Sequence, residues 1–267
     1  MDAIIQVEHL TKRYRTSTAP AVDDISFEVH PGELFAFLGP NGAGKTTTIS
    51  ILTTTLAKTD GTVTIAGHDI DREATAVRRN IGIIFQNPSL DLHLSGEENI
   101  RLHVALYGIY GYRPAILFLD EPTSGLDPVS RHDLWAYLRK VRDEDATTIF
   151  LTTHYLEEAE EANRVCVVDH GRIAMIGTPV EMKRQLLDRA ILLDATDRPS
   201  LLAELRDLGL DPMLHESGLV RVAYEGATAQ PIISRIRTPL SVLHVHDPSL
   251  EDAYVELLRR PNEEAVA

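Results

Sequence analysis

The chain has 267 residues, 43% of them hydrophobic and 25% charged, which is enough for one large or two moderate soluble domains with a full core. Its 26 basic and 40 acidic residues give a net charge of −14, which argues against direct nucleic-acid binding. The single cysteine, Cys166, excludes an internal disulfide, and its apolar neighbours predict a buried strand residue and not a catalytic thiol.

The N-terminal sequence lacks the basic head and the apolar stretch of a signal peptide. No apolar run approaches the length of a membrane span. Any role at a membrane is therefore expected to depend on another chain that crosses it.

The first part of the chain predicts strands that lead into a glycine-rich loop. The segments IIQVEHL, AVDDISFEV and ELFAFL are separated by turn residues, and Tyr14 is predicted to end the first strand. The apolar run at 34–38 predicts a buried strand that enters the loop GPNGAGKTT, and a helix is predicted from Lys45. Strand, loop and helix thus follow one another in the order that a phosphate-binding loop requires.

The loop matches the pattern G-x-x-x-x-G-K-[ST], with Gly39, Gly44, Lys45 and Thr46 at the required positions. Its glycines let backbone N–H groups face the β- and γ-phosphates, and the helix adds its positive N-terminal end. Lys45 is expected to reach the β- and γ-oxygens, and the Thr46 hydroxyl to ligate Mg²⁺. The residues predicted to bind the nucleotide here are Gly39, Pro40, Asn41, Gly42, Ala43, Gly44, Lys45, Thr46 and Thr47.

Strands and helices alternate after the loop. Strands are predicted for TVTIAG, IGIIFQ, ILFLD and TTIFLTT, helices for 96–107, 130–144 and YLEEAEEAN, and a hairpin-like pair for VCVVDH and GRIAMIG. This alternation predicts a mostly parallel α/β sheet. The acidic run in YLEEAEEAN is interpreted as a solvated helix face.

From about Ala190 the pattern predicts a small α+β unit. Strands are expected at AILLDA, LVRVAY and SVLHVHD, and helices at 199–208, 230–236 and 249–260, in a ferredoxin-like sandwich with helices on one face. His244 and His246 share one strand face, but without a visible third ligand they do not predict a metal site. The tail 261–267 is predicted to be disordered.

A second motif, ILFLDEP at 116–122, places two adjacent carboxylates at the end of a buried strand. This arrangement suits phosphoryl transfer to water. Asp120 is expected to hold Mg²⁺ directly or through water. Glu121 is expected to act as general base on the attacking water.

Taken together, the motifs GPNGAGKTT, Gln86 in IIFQNPSLD, ILFLDEP, SGLDP at 124–128 and His154 in TTHYLEEAE resemble the ABC-transporter ATPases in type and order. The chain looks most like the ATP-binding subunits of bacterial drug-export and ABC-2-type transporters, whose small C-terminal domain ends in a motif similar to DPSLEDAYVELLRR at 247–260. The resemblance covers nearly the whole chain.

The resemblance implies an α/β P-loop NTPase fold. It has a RecA-type core and an antiparallel β subdomain, with an ATP-binding domain at 1–185, here with a truncated helical subdomain, and a small α+β domain at 190–260. The implied cofactors are ATP and Mg²⁺. The implied partners are a transmembrane permease and a second ATP-binding subunit, in a homodimer or a heterodimer. Such a subunit is peripheral on the cytoplasmic face of the cell membrane, which it meets through the permease.

The resemblance also implies roles for individual residues. Tyr14 would stack on the adenine, although an aromatic residue at a strand end is an alternative. Gln86 would reach Mg²⁺ and the attacking water, and His154 would contact the γ-phosphate. The segment 124–127 would line the dimer interface. With Glu121 as base and Thr46, Gln86 and Asp120 around Mg²⁺, the site is that of an ATP hydrolase.

One part of the chain departs from the family pattern. Only 34 positions separate Gln86 from Asp120, several dozen fewer than in the family, so most of the helical subdomain and the LSGGQ-like signature are missing from the sequence. The segment Leu94-Ser95-Gly96 precedes a predicted helix and lies near a signature position, 25 residues before Asp120 when counted from Ser95. Glu97 and Glu98 follow it, and their charge would compete with a phosphate at the same helix end.

Two functional hypotheses remain open at this stage. The chain is either the ATP-hydrolysing subunit of an exporter or a degenerate ATP-binding module with little or no hydrolysis, since loss of even one preorganised donor to the transition state costs about 10²-fold in rate. A third class, a soluble ABC protein that acts on ribosomes or DNA, is disfavoured by the acidic charge and the exporter-like C-terminal unit.

Overall fold

The computed structural model describes residues 2–84, 114–186, 190–215, 217–224, 228–246 and 249–259. Contacts between Cα atoms divide the chain into two compact units, Met1–Pro179 and Val180–Ala267. The first domain is predicted to end at 185, whereas helix α5 (Pro179–Leu186) falls in the second unit apart from its first residue. No described helix is both long and apolar enough to cross a membrane.

The first unit contains two sheets. Its strands are β1 Ile5–Lys12, β2 Val22–Val29, β3 Leu34–Leu38, β4 Asp60–Ile65, β5 His68–Asp69, β6 Ile81–Ile84, β7 Ile116–Asp120, β8 Thr148–Thr153, β9 Arg164–Asp169 and β10 Arg172–Gly177. Its helices are α1 Lys45–Leu52, α2 Ala74–Asn80, α3 Pro128–Asp145 and α4 Leu156–Glu160. Helix α2 was not predicted, and Tyr14 lies two residues beyond the end of β1 instead of ending it.

The larger sheet has the order β10-β9-β3-β8-β7-β6. The five strands from β9 to β6 run parallel, and β10 pairs antiparallel with β9. The predicted mostly parallel α/β sheet is therefore confirmed. Strands β3, β7 and β8 are buried at every position, as expected for central strands with both faces covered.

This topology sets the place of the site, because β3, β7 and β8 are adjacent and end at the same edge of the sheet. The phosphate-binding loop follows β3, Asp120 ends β7, and His154 follows β8. Ligands of open parallel sheets bind at this carboxyl edge. Three motifs that are far apart in sequence thus meet there.

A smaller antiparallel sheet, β2-β1-β4-β5, completes the first unit. Apolar side chains of β1 and β2 join those of the large sheet in one core. Phe150 lies at the centre of an aromatic cluster in that core, with ring centroids 5.4 to 6.1 Å from those of Phe27, Phe35, Phe37 and Phe118. Such spacings are favourable for aromatic pairs.

The second unit is a four-stranded antiparallel sheet of order β12-β13-β11-β14. Its elements are α5, β11 Ala190–Ala195, α6 Arg198–Asp207, β12 Pro212–Leu214, β13 Val220–Ala223, α7 Gln230–Ile233, β14 Leu240–His246 and α8 Leu250–Arg259. Side chains of α6 and α7 share one apolar cluster with β11 and β13. The order of elements and strands confirms the ferredoxin-like arrangement, although β12 was not predicted.

Candidate phosphate-binding and hydrolytic site

The glycines of the loop are required by close backbone contacts. Gly44 has φ 102°, and a Cβ there would lie 2.3 Å from the carbonyl oxygen of Ala21. A Cβ on Gly39 would lie 2.3 Å from the carbonyl oxygen of Val168. Neither position can hold a side chain without moving backbone, so the shape of the loop depends on both glycines.

The outer part of the loop faces solvent. Asn41, Gly42 and Thr46 are exposed, whereas Ala43 and Lys45 are buried. The Ala43 carbonyl accepts a hydrogen bond of 3.1 Å from the N–H of Gly171, in the turn between β9 and β10. This hydrogen bond fixes the inner side of the loop, while its outer side stays open to a ligand.

Lys45 points into the loop. Its ammonium group donates to the carbonyl oxygens of Gly39 (2.7 Å) and Pro40 (3.1 Å) and lies 3.4 Å from Glu121 Oε1. The side chain is 4% exposed, so this positive charge is held in a nearly dry environment. A phosphate group could replace the two carbonyls as the stronger, charge-assisted partner.

Asp120 is 2% exposed and is held by hydroxyl groups. Its Oδ1 accepts from the hydroxyls of Thr152 and Thr46, the latter over 3.4 Å. Burial raises the pKa of Asp120, and the hydrogen bonds from Thr152 and Thr46 oppose that rise only in part. A positive ligand would relieve the cost of burying this carboxylate.

The residues here fit Mg²⁺. Thr46 Oγ1 and Asp120 Oδ1 are hard oxygen donors that point toward one another beside the phosphate loop. Within the described residues no group of three or more His, Cys, Asp or Glu could hold a metal by itself. Two protein oxygens suffice in sites where substrate phosphates and water complete the octahedron around Mg²⁺.

Glu121 adopts an unusual backbone conformation, with φ 47°. Its N–H lies 3.1 Å from both the carbonyl and the hydroxyl oxygen of Thr152, which holds the residue in this left-handed region. Non-glycine residues in that region are strained, and such strain concentrates at functional sites. The turn directs the Glu121 carboxylate, 7% exposed, toward Lys45 and His154.

His154 follows β8 and lies beside Glu121. Its Nδ1 is 3.2 Å from Glu121 Oε1, and this buried nitrogen makes no hydrogen bond within the described residues. Its ring centroid is 4.0 Å from that of Tyr155, which contacts Arg131 at 5.3 Å. The structure thus brings together four residues that the sequence predicts for the site: Lys45, Asp120, Glu121 and His154.

Tyr14 lies beside the same loop. Its hydroxyl is 3.4 Å from Thr47 Oγ1, the Lys12 ammonium is 5.4 Å from the centre of its ring, and the side chain is 40% exposed. A half-open aromatic face next to a phosphate loop can take a base by stacking. This position agrees with the adenine contact that the resemblance implies, and the contact itself stays a prediction.

Other predicted residues have different positions. Asp127 in SGLDP caps α3, where its carboxylate accepts from the N–H groups of Val129 (2.9 Å) and Ser130 (3.1 Å). Cys166 is fully buried, and burial raises its pKa well above the ordinary range, as expected for an inert thiol. Gln86 and the segment 94–96 lie outside the described residues, so their roles stay predictions.

The structure corrects one interpretation. The acidic run in YLEEAEEAN was expected to be a solvated face, and Glu157 and Glu160 are exposed, but Glu158 is only 3% exposed. Its carboxylate accepts from the hydroxyl of Thr123 and, over 2.6 Å, from that of Thr153. Glu158 is therefore buried beside the site, and sequence reasoning missed it together with Thr152.

Comparison with known proteins agrees with this site. The family model for ABC transporters matches residues 22–153. The chain is 31% identical to the daunorubicin/doxorubicin resistance ATP-binding protein DrrA of Streptomyces peucetius, over 96% of this chain and 93% of that protein. It is 32% identical to the Nod factor export ATP-binding protein I of Paraburkholderia xenovorans, over 97% and 98% of the respective lengths.

The solved structure of cbiO1 from Clostridium perfringens, part of the ABC transporter complex cbiONQ, is 25% identical and superposes with a TM-score of 0.58 over 78% of this chain and 98% of that one. The alignment with DrrA spans 309 positions but includes about 256 residues of this chain, which is 96% of 267, so about 53 aligned positions have no residue here. The motifs, the fold and these relatives agree that the chain belongs to the ATP-binding proteins of the ABC transporter family.

Proposed function

We propose that the chain is the ATP-binding subunit of an exporter. It binds Mg-ATP at the site around Lys45, works on the cytoplasmic face of the membrane, and drives a separate permease. The observation that carries this proposal is the approach of Lys45 (3.4 Å) and His154 (3.2 Å) to the same oxygen of Glu121 at the edge of the sheet. The names of DrrA and the Nod factor protein, which refer to drug resistance and to export, support the choice of an exporter.

The geometry suggests how the chain's own residues would act on ATP. The loop N–H groups and Lys45 would bind the β- and γ-phosphates, and Thr46 and Asp120 would hold Mg²⁺, which supplies positive charge to the phosphate oxygens. Glu121 would orient a water molecule and accept its proton as the water oxygen bonds to the γ-phosphorus and the bond to ADP breaks. His154 would donate a hydrogen bond to the γ-phosphate.

A second candidate, a degenerate module that binds ATP with little or no turnover, is favoured by the shortening of the chain. About 53 positions of the DrrA alignment lack a residue here, and the spacing of only 34 positions between Gln86 and Asp120 supports a loss in that segment, where the family signature would lie. In the family each ATP contacts the signature of a second subunit, so a homodimer of this chain would lack that contact. A heterodimer with an intact subunit would restore one site.

Steady-state ATP hydrolysis by the purified chain, measured beside ATP binding, separates the two candidates. Turnover that Glu121→Gln lowers at least about 10²-fold, with binding retained, would support a hydrolytic subunit. Tight binding without turnover would support the degenerate module, and addition of an intact subunit should then restore turnover. Lys45→Ala is the matched control for binding, and we expect it to weaken ATP affinity about 100-fold because the phosphates lose their buried cation.

A further inference from the structure

Glu158 is a buried acid with no part in the mechanism above. It lies on the short helix α4, and both of its carboxylate oxygens accept hydrogen bonds: Oε1 from Thr123 and Oε2 from Thr153. Thr123 stands two residues after Glu121, and Thr153 directly precedes His154. One carboxylate therefore joins the two segments that carry the proposed base and the proposed γ-phosphate ligand.

The connection extends into the backbone on both sides. The Thr153 hydroxyl that donates to Glu158 also accepts from the N–H of Tyr155 over 2.9 Å, so the residues on both sides of His154 are fixed. In the other segment the Glu121 carbonyl accepts from the N–H of Ser124 over 3.1 Å, which closes a turn around Thr123. Neither turn can shift alone without breaking a bond to Glu158.

Packing alone does not account for a carboxylate at this position. Glu158 is 3% exposed, and its two donors are neutral threonine hydroxyls, Thr123 being 1% and Thr153 0% exposed. Burial of an acid among neutral partners is costly, whereas apolar side chains in place of Glu158 and both threonines would fill the same volume without that cost. A purely structural site would favour such an apolar trio, so the carboxylate is explained better by a role for the two bonds.

We propose that Glu158 is a positioning residue for γ-phosphate recognition. By joining Thr123 to Thr153, it sets the 3.2 Å approach of His154 to Glu121 and thereby the place where the γ-phosphate and the attacking water meet. The proposal rests on the proposed function, because it assumes that His154 contacts the γ-phosphate. ADP lacks that group, so Glu158 should affect the binding of a triphosphate and leave the binding of ADP unchanged.

The ratio of two affinities tests this proposal. Binding of Mg-bound β,γ-imido ATP and of Mg-ADP is measured by calorimetry for the full chain, Glu158→Gln, His154→Ala and the double variant. Glu157→Gln, an exposed neighbour on the same helix, is the matched control. In Glu158→Gln one threonine hydroxyl loses its acceptor, and we expect the affinity for the triphosphate to fall about tenfold at constant ADP affinity.

His154→Ala should lower the triphosphate affinity in the same selective way, and adding Glu158→Gln to it should cause little further loss, because the two residues act through one contact. Equal losses for both nucleotides in Glu158→Gln would reveal a merely structural role and overturn the proposal. A fully additive double variant would overturn it as well. Thr123→Val, which removes one donor at nearly constant volume, gives the same test if Glu158→Gln does not fold.

The variants also distinguish a failure of this proposal from a failure of the proposed function. If His154→Ala leaves the ratio unchanged, the assigned γ-phosphate contact is wrong and the positioning role is overturned, whereas the proposed function is overturned only if the unaltered chain binds neither nucleotide. If His154→Ala lowers the ratio and Glu158→Gln does not, only the positioning role is overturned. A selective loss in Glu158→Gln and Thr123→Val, absent in Glu157→Gln, would support it.

Discussion

The two units of the molecule treat buried polar groups differently. Among the described residues every buried charged side chain lies in the first unit, including Lys45, Asp120, Glu121 and Glu158. The described part of the second unit buries apolar and aromatic side chains only. Burial of charge is costly without a compensating ligand or bond, so the first unit carries groups that stability alone does not favour.

The pKa directions distinguish the buried acid of the site from acids at the surface of both units, since Asp69, Asp127 and Asp143 of the first unit also have a lowered pKa. In the first unit burial raises the pKa of Asp120, whereas in the second unit hydrogen bonds lower the pKa of Asp194, Asp197 and Glu204. Asp197 caps α6 as Asp127 caps α3 in the first unit, Glu204 accepts from the loop at 237–238, and Asp194 pairs with Arg198. The raised pKa of Asp120 marks the site in the first unit as the functional candidate, whereas Asp194, Asp197 and Glu204 make hydrogen bonds that stabilise the fold of the second unit.

Substitutions in the cores of the two units test whether the units are also separate in stability, and they should cause the greatest loss of stability. Phe150→Ala removes the centre of the aromatic cluster in the first unit and should cost about 4 kcal/mol, and Leu205→Ala in the second unit about 3 kcal/mol. The single tryptophan, Trp135, lies in the first unit, so its fluorescence in urea reports the unfolding of that unit. Phe150→Ala should lower the midpoint, and Leu205→Ala should leave it unchanged.

If Leu205→Ala shifts the Trp135 transition as far as Phe150→Ala does, the units unfold as one body. They would then differ in the burial of charged side chains but not in stability. Far-UV circular dichroism provides the control because it follows both units. Two dichroism transitions, of which each variant moves one, would show that the two units unfold independently.

Much of the site was predictable because its residues belong to local motifs. The fold class, the phosphate loop and the adjacent carboxylates Asp120 and Glu121 follow from strand-loop-helix order and from strand ends, which a sequence displays directly. His154 comes within 3.2 Å of Glu121 because β7 pairs with β8, and neighbouring parallel strands end at the same edge of the sheet.

The residues that were missed depend on tertiary contacts. Glu158 appears in sequence as one of several acids on a short helix, and its donor Thr123 lies 35 positions away. The small residues Ala159 and Ala162 beside it, both buried, are a weak sign that this face packs inward. The strand β12 has three residues and begins with proline, so no local pattern distinguishes it from a turn.

A smaller change in stability, of opposite sign, is expected when Asp120 is replaced. Because burial raises its pKa in the folded state, the ionised carboxylate opposes folding above that pKa, and this penalty vanishes as pH falls below the ordinary value of 3.8. Asp120→Asn should therefore stabilise the ligand-free chain by about 1 kcal/mol at pH 7 and abolish the Mg²⁺ dependence of nucleotide binding. Thermal unfolding between pH 7 and pH 4 and calorimetry with and without Mg²⁺ measure the two effects.

The amide introduced by Asp120→Asn would keep an oxygen that accepts from Thr46 and Thr152, so the local hydrogen bonds are retained and the charge is the main change. A loss of stability at pH 7 would contradict the view that this acid is kept for its ligand. Thr152→Val, which removes a donor to the same oxygen, serves as the contrasting variant and should destabilise the chain.

The smallest change in stability is expected in the second unit, when Glu204 is replaced. Its carboxylate accepts from the N–H groups of Arg237 (2.7 Å) and Thr238 (2.9 Å) and from the Thr238 hydroxyl (2.6 Å), and the Thr238 bonds in particular hold its pKa below the ordinary 4.5. Because the folded state favours the charged form, this stabilisation is present above pH 4.5 and is lost as pH falls through the lowered pKa.

Glu204→Gln should therefore cause a small loss of stability at pH 7 that shrinks as pH falls below 4.5, so its effect on stability has the opposite sign to that of Asp120→Asn. Urea unfolding followed by far-UV circular dichroism at several pH values measures it, with Asp207→Asn, an exposed acid on the same helix, as the matched control. Since Glu204 is remote in sequence from every motif of the phosphate site, ATP affinity should not change. A loss of ATP affinity in Glu204→Gln would mean that the second unit takes part in nucleotide binding, and the division between a chemical and a structural unit would then be wrong.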